Sequence, residues 1–193
     1  RTDGHPAAAN GVIVLANCAS AFFQLDGATG REKEGTVRLD EGCEMAGGVA
    51  IRDGIAFAGN RSGTFVAADL SRGQELWSDD SGEGEMFTTP AVDEEHVVFT
   101  DSRGIVFCVD RRTGKQNWTY NTKRGSLRHP VIAGDLALIG AGGRLSAIKL
   151  AGGRRVWTLA ISDDFTSPAI VGGLIVVGTD DGHVAAYAAG GTE

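Results

Sequence analysis

The chain has 193 residues, with 18 Lys and Arg set against 25 Asp and Glu, a formal net charge of −7 at neutral pH, and 29 glycines. The acidic balance and the scattering of the basic residues argue against a phosphate backbone as the natural partner, so no nucleic-acid face is expected. No apolar run approaches the roughly 18 residues of a membrane span.

In chain order, Asp3 to Ala9 reads as a first strand. A phrase then recurs whose clearest copies are Arg72-Gly73-Gln74-Glu75-Leu76-Trp77, Thr113-Gly114-Lys115-Gln116-Asn117-Trp118 and Gly152-Gly153-Arg154-Arg155-Val156-Trp157. Its glycine falls at Gly30, Gly73, Gly114, Gly153 and Gly191, at spacings of 43, 41, 39 and 38 residues. A second glycine keeps step at Gly63, Gly104, Gly143 and Gly182, and a proline opens the units at Pro6, Pro90, Pro130 and Pro168. Markers in register along the whole chain specify a repeat architecture. The units run approximately over 1–40, 41–80, 81–121, 122–161 and 162–193.

Within the third unit the apolar runs are Phe87 to Val92, His96 to Thr100, Ile105 to Val109 and Gln116 to Tyr120. Each is short, rich in Val, Ile, Phe or Trp, and bounded by Gly, Asp, Asn or Ser, which is the chemistry of strands and hairpins. Four antiparallel strands at a period near 40 residues make one blade of a β-propeller. The expected fold is therefore all-β, a single domain over 1–193, with a fifth unit that stops at Gly191-Thr192-Glu193 before its fourth strand. Both ends read as cut, and a closed five-bladed ring is the alternative.

Segments such as Ser167-Pro168-Ala169-Ile170-Val171-Gly172-Gly173-Leu174-Ile175-Val176-Val177-Gly178-Thr179-Asp180-Asp181-Gly182, followed by the Thr-Gly-Lys-x-x-Trp turn, resemble the PQQ-like repeat named for the quinoprotein alcohol dehydrogenases. The same repeat builds a lipoprotein of outer-membrane assembly and sensor domains of some bacterial kinases. The resemblance implies a propeller that commonly has seven or eight blades, so the rest of the ring is expected from another segment or another chain. It also implies that Trp77, Trp118 and Trp157 dock neighbouring blades through their ring and N–H. It is specific for the fold and says little about activity.

The quinoprotein enzymes hold PQQ between a tryptophan floor and a disulfide of adjacent cysteines, with Ca²⁺ nearby. This chain has no adjacent cysteine pair, and the repeat slot takes all three tryptophans. No cofactor is expected, PQQ with calcium being the alternative.

His5 and His129 precede blade-opening prolines, but two imidazoles make a poor metal site. Acidic turns holding Asp40, Glu41 and Glu44, then Asp79, Asp80, Glu83 and Glu85, then Asp163 and Asp164, lack the spacing of a calcium loop. Arg61, Arg103, Lys123, Arg124 and Arg128 fall in turns on the same face and form a candidate positive mouth for a carboxylate or acidic peptide.

Cys108 aligns with Ala67, Ala147 and Ala185 and reads as a small buried hydrophobe. Cys18 and Cys43 fall in adjacent turns and form a candidate disulfide. Such a bridge favours an oxidising compartment. The function these features support is a non-catalytic scaffold or protein-binding module, periplasmic or extracellular. The alternatives are the propeller part of a quinoprotein oxidoreductase and a sensing domain fused to a kinase.

Overall fold

The computed structural model describes residues 4–39, 44–125 and 127–188. Among them there is no helix, and the strands form five antiparallel sheets. The first contains β1 (Ala7–Ala9), β2 (Val12–Asn17), β3 (Ala21–Asp26) and β4 (Val37–Arg38). The second contains β5 (Ala50–Arg52), β6 (Ile55–Gly59), β7 (Phe65–Asp69) and β8 (Gln74–Asp79), and the third β9 (Ala91–Val92), β10 (His96–Thr100), β11 (Ile105–Asp110) and β12 (Gln116–Asn121). The fourth contains β13 (Val131–Ala133), β14 (Leu136–Ala141), β15 (Arg144–Lys149) and β16 (Arg155–Ala160). The fifth shows three strands, β17 (Ala169–Val171), β18 (Leu174–Gly178) and β19 (Val184–Ala188). Each sheet pairs its strands in sequence order, so every unit is a meander. The innermost strands β1, β5, β9 and β13 touch in succession, which stacks the sheets around an axis as propeller blades.

The core lies between the sheets and is divided among them. Val14, Phe22 and Val37 of the first sheet pack on Ala56, Ala58 and Val66 of the second. Phe57, Phe65 and Trp77 pack on Val97, Phe99 and Phe107, with Phe65 and Phe99 stacked at a centroid distance of 3.9 Å. Val98, Cys108 and Trp118 meet Ala137, Ile139 and Ile148, and Leu138, Leu145 and Ala147 meet Ile175 and Val177.

Because an inner sheet is covered on both faces, β6, β10 and β14 are buried almost continuously and read as unbroken apolar runs. β18 has the same kind of sequence, yet its burial alternates, since only one face of the fifth sheet is covered. Val171 is 63% exposed and Val184 76% exposed on the other face.

A recurring irregularity sets the tryptophans. The register shifts by one residue between Cys108 and Val109 opposite Trp118, between Ala67 and Ala68 opposite Trp77, and between Ala147 and Ile148 opposite Trp157. One extra residue in the fourth strand, Asn117, Leu76 or Val156, is thus bulged out just before each indole. A bulge turns the following side chain and sharpens the local twist. A small residue on the third strand faces the ring each time.

Candidate functional site

The blade junctions are built from the repeated phrase. Trp77 Nε1 donates to the carbonyl of Arg111 at 3.0 Å, and Trp118 Nε1 donates to that of Leu150 at 2.6 Å. Each indole therefore reaches the turn of the next blade. It also lies over that turn's glycine, where a Cβ would come within 2.6 Å of the Trp77 ring at Gly114 and 2.8 Å of the Trp118 ring at Gly153. Both glycines have positive φ. Trp157 is half-buried, and the turn it would meet lies outside the described residues.

The first blade has Glu34 in the tryptophan slot, and sequence reasoning found no replacement. The structure supplies one from another strand. Buried Gln24 of β3 donates its side-chain amide to the carbonyls of Gly35, at 2.6 Å, and Leu70, at 2.8 Å.

The turns before these glycines are closed by carboxylates. Asp26, Asp69 and Asp110 each accept from the backbone and hydroxyl of Thr29, Ser71 and Thr113 in turn. Those hydroxyl bonds, reinforced by the amides, hold all three carboxyls below the ordinary Asp value.

On the opposite end of the sheets, the five basic residues of the candidate mouth have separate fates. Arg61 pairs with Glu44 and, at 3.3 Å, with Glu85, and its guanidinium lies 5.3 Å from the centre of the Phe87 ring. Arg103 pairs with Glu83, and Arg128 with Asp164 while donating to the Phe165 carbonyl at 2.6 Å. Arg61 and Arg103 thus tie the hairpin turns of the second and third blades to the segments that enter blades, and Arg128 ties the segment entering the fourth blade to the one entering the fifth. Arg124 reaches the Gly142 carbonyl, and both Lys123 and Arg124 are exposed. Arg124 and Arg128 line a cavity of about 450 Å³ that Asp163 and Asp164 share. Three of the four arginines are thus paired with carboxylates of the acidic loops.

Near the axis, His5 and His129 approach edge to face at 5.3 Å between ring centres, although their blades are three apart. The Thr89 N–H donates to His129 Nδ1 at 2.7 Å. That bond leaves the neutral ring's proton on Nε2, making that nitrogen a donor rather than a metal ligand. Burial, then His5 and Arg128, lower the His129 pKa.

Cys108 is buried opposite Trp118, and burial pushes its thiol up to about 12. Cys18 is half-buried. Cys43, its candidate partner, lies outside the described residues, as do Asp40 and Glu41.

The sequence model for outer membrane protein assembly factor BamB matches residues 1–120, 35–170 and 103–192, which together span nearly the whole chain. This chain belongs to the BamB family. The BamB of Shewanella oneidensis is 26% identical over 172 residues, covering 81% of this chain and 43% of the relative. The BamB of Alteromonas naphthalenivorans is 31% identical over 159 residues, covering 72% of this chain and 38% of the relative. The chain thus spans about two fifths of the length of these relatives.

The crystal structure of BamB from Moraxella catarrhalis superposes with a TM-score of 0.79 at 19% identity, covering 96% of this chain and 58% of that one. The computationally designed Ika8 protein gives 0.82 at 18% identity, covering 95% and 57%. These likenesses establish the PQQ-like propeller fold. The Shewanella and Alteromonas relatives are both named outer membrane protein assembly factors.

Proposed function

We propose that this chain is part of a BamB-type propeller, a non-catalytic scaffold that binds protein partners during outer-membrane protein assembly and works in the periplasm. The observation that carries this reading is the family match running through residue 192 from residue 1. A propeller suits the task because its loops are presented on a stiff frame at little ordering cost. The apolar face of the fifth sheet, with Val171, Leu174 and Val184 exposed, receives a further blade in the complete ring. Residues 1–193 act as one unit within it.

The test is to delete the gene and quantify β-barrel proteins in the outer membrane. Their depletion, reversed by supplying the full-length protein, supports the reading. Unchanged levels, together with no co-purifying assembly component, overturn it.

A further inference from the structure

The hairpin turn between the second and third strands is closed by a side-chain oxygen in several blades, and comparing them isolates an anomaly. In the first blade Asn17 Oδ1 accepts from Ala19 N–H. In the second, Asn60 Oδ1 accepts from Ser62 and Thr64 at 2.9 and 2.7 Å. In the third, Asp101 Oδ1 accepts from Arg103 and Ile105 at 3.1 and 2.9 Å. The turn therefore needs one acceptor oxygen, and an amide serves. Asp101 brings a second oxygen and a charge that the turn does not use.

Asp101 is only 3% exposed, and its Oδ2 is buried without a hydrogen-bond partner. A buried carboxylate in that state is costly, and a group so retained calls for a counter-charge. Nearby basic groups are engaged elsewhere: Arg103 pairs with Glu83, and Arg61 bridges Glu44 and Glu85.

The surroundings of Asp101 describe what would satisfy it. It lines a cavity of about 220 Å³ with Thr100, Ser102, Glu85, Phe87 and Leu127. The hydroxyl of Thr100 is engaged with Thr88 at 2.8 Å and Glu85 is held by Arg61, whereas Asp101 Oδ2 accepts no hydrogen bond. Phe87, 42% exposed, and half-buried Leu127 give the cavity apolar walls. Apolar walls above a single buried anion match a long side chain with a charged tip, whose methylenes pack while the head is neutralised. A simple hydrated cation would want more oxygens and no apolar wall.

Deepening the scaffold reading and resting on it, we propose that this cavity in the third blade receives a lysine side chain from the protein partner, paired with Asp101.

The test titrates the ¹⁵N-labelled chain with N-acetyl-lysine methylamide, and separately with the uncharged N-acetyl-norleucine methylamide, following backbone amides by NMR. The lysine probe shifts the amides of Asp101, Ser102 and Arg103 and saturates, with the norleucine probe at least about tenfold weaker. Asp101→Asn folds, because Asn60 closes the same turn, and weakens the lysine probe by at least about tenfold. Equal binding of both probes, equal binding to the Asn variant, or the same shifts from potassium chloride at matched ionic strength would each overturn the proposal. This titration is independent of outer-membrane protein levels, so the cavity can fail while the scaffold reading stands.

Discussion

Gln24 and Leu70 form the same contact as Trp118 and Leu150, built from a different strand. In both, a side-chain N–H crosses a blade junction to the carbonyl that follows the third strand of the next blade, at 2.8 and 2.6 Å. The conserved element of the junction is thus the buried acceptor, and the donor is exchangeable. Gln24→Met keeps the length and removes the amide, leaving the Gly35 and Leu70 carbonyls unpaired. We expect it to cost about 1–3 kcal/mol, read from the urea midpoint.

Trp118 separates ring packing from hydrogen bonding. Trp118→Ala removes a nearly buried indole and costs about 3–5 kcal/mol by analogy with large-to-small core changes. Trp118→Phe keeps much of the packing and loses only the bond to Leu150, costing about 1–2 kcal/mol. Chemical denaturation of both variants checks the order, and an Ala variant no worse than Phe would refute the docking role.

Gly152 and Gly153 provide an internal control for that contact. Both have positive φ, at 81° and 68°, but a Cβ on Gly152 meets nothing within 4 Å, whereas one on Gly153 strikes the Trp118 ring. Gly152→Ala is therefore expected to cost about 1–2 kcal/mol of backbone strain. Gly153→Ala costs more and shifts the Trp118 fluorescence, which Gly152→Ala leaves unchanged.

His129 predicts a pH dependence. Its folded pKa lies below the ordinary 6.5, so the unfolded chain takes up a proton first as the pH falls. The stabilisation is present above pH 6.5 and is lost on going down towards the folded value. Protonation also turns Nδ1 into a donor facing the Thr89 N–H. Thermal scans should show stability declining as pH drops below about 6.5, and His129→Asn should flatten that part of the profile.

The thiols should differ in reactivity. Native alkylation followed by mass spectrometry should modify Cys18 and spare Cys108, whose pKa is pushed up to about 12. If Cys18 instead becomes reactive only after reduction, it is bridged to Cys43.

The blade order, the junction glycines and the small residue opposite each indole were legible because they repeat at fixed spacing. Repetition makes a signal from residues that singly mean little. Gln24 was not legible, since its partner is a backbone carbonyl 46 residues away and it stands on a different strand from the slot it serves. The pairing of Arg61, Arg103 and Arg128 was hidden for a related reason: the like charges were visible, while their carboxylate partners lie in the loops between blades, about 17 to 36 residues away along the chain. Asp101 was visible as one more acidic turn residue. Its unpaired oxygen depends on burial, which charge counting does not report.

The partition of the core into four separate pockets of packing, one per junction, limits how far damage can travel. Apart from the His5–His129 contact near the axis, each sheet packs on its immediate neighbours, so the free energy behaves as a sum of sheet and junction contributions, and loss of one junction need not abolish the rest. Opening should begin at β17–β19, which is clamped on one side only, and advance inward as successive junctions yield. Hydrogen exchange would then record a gradient of protection along the chain, lowest in the fifth sheet and highest in the doubly clamped β10 and β11.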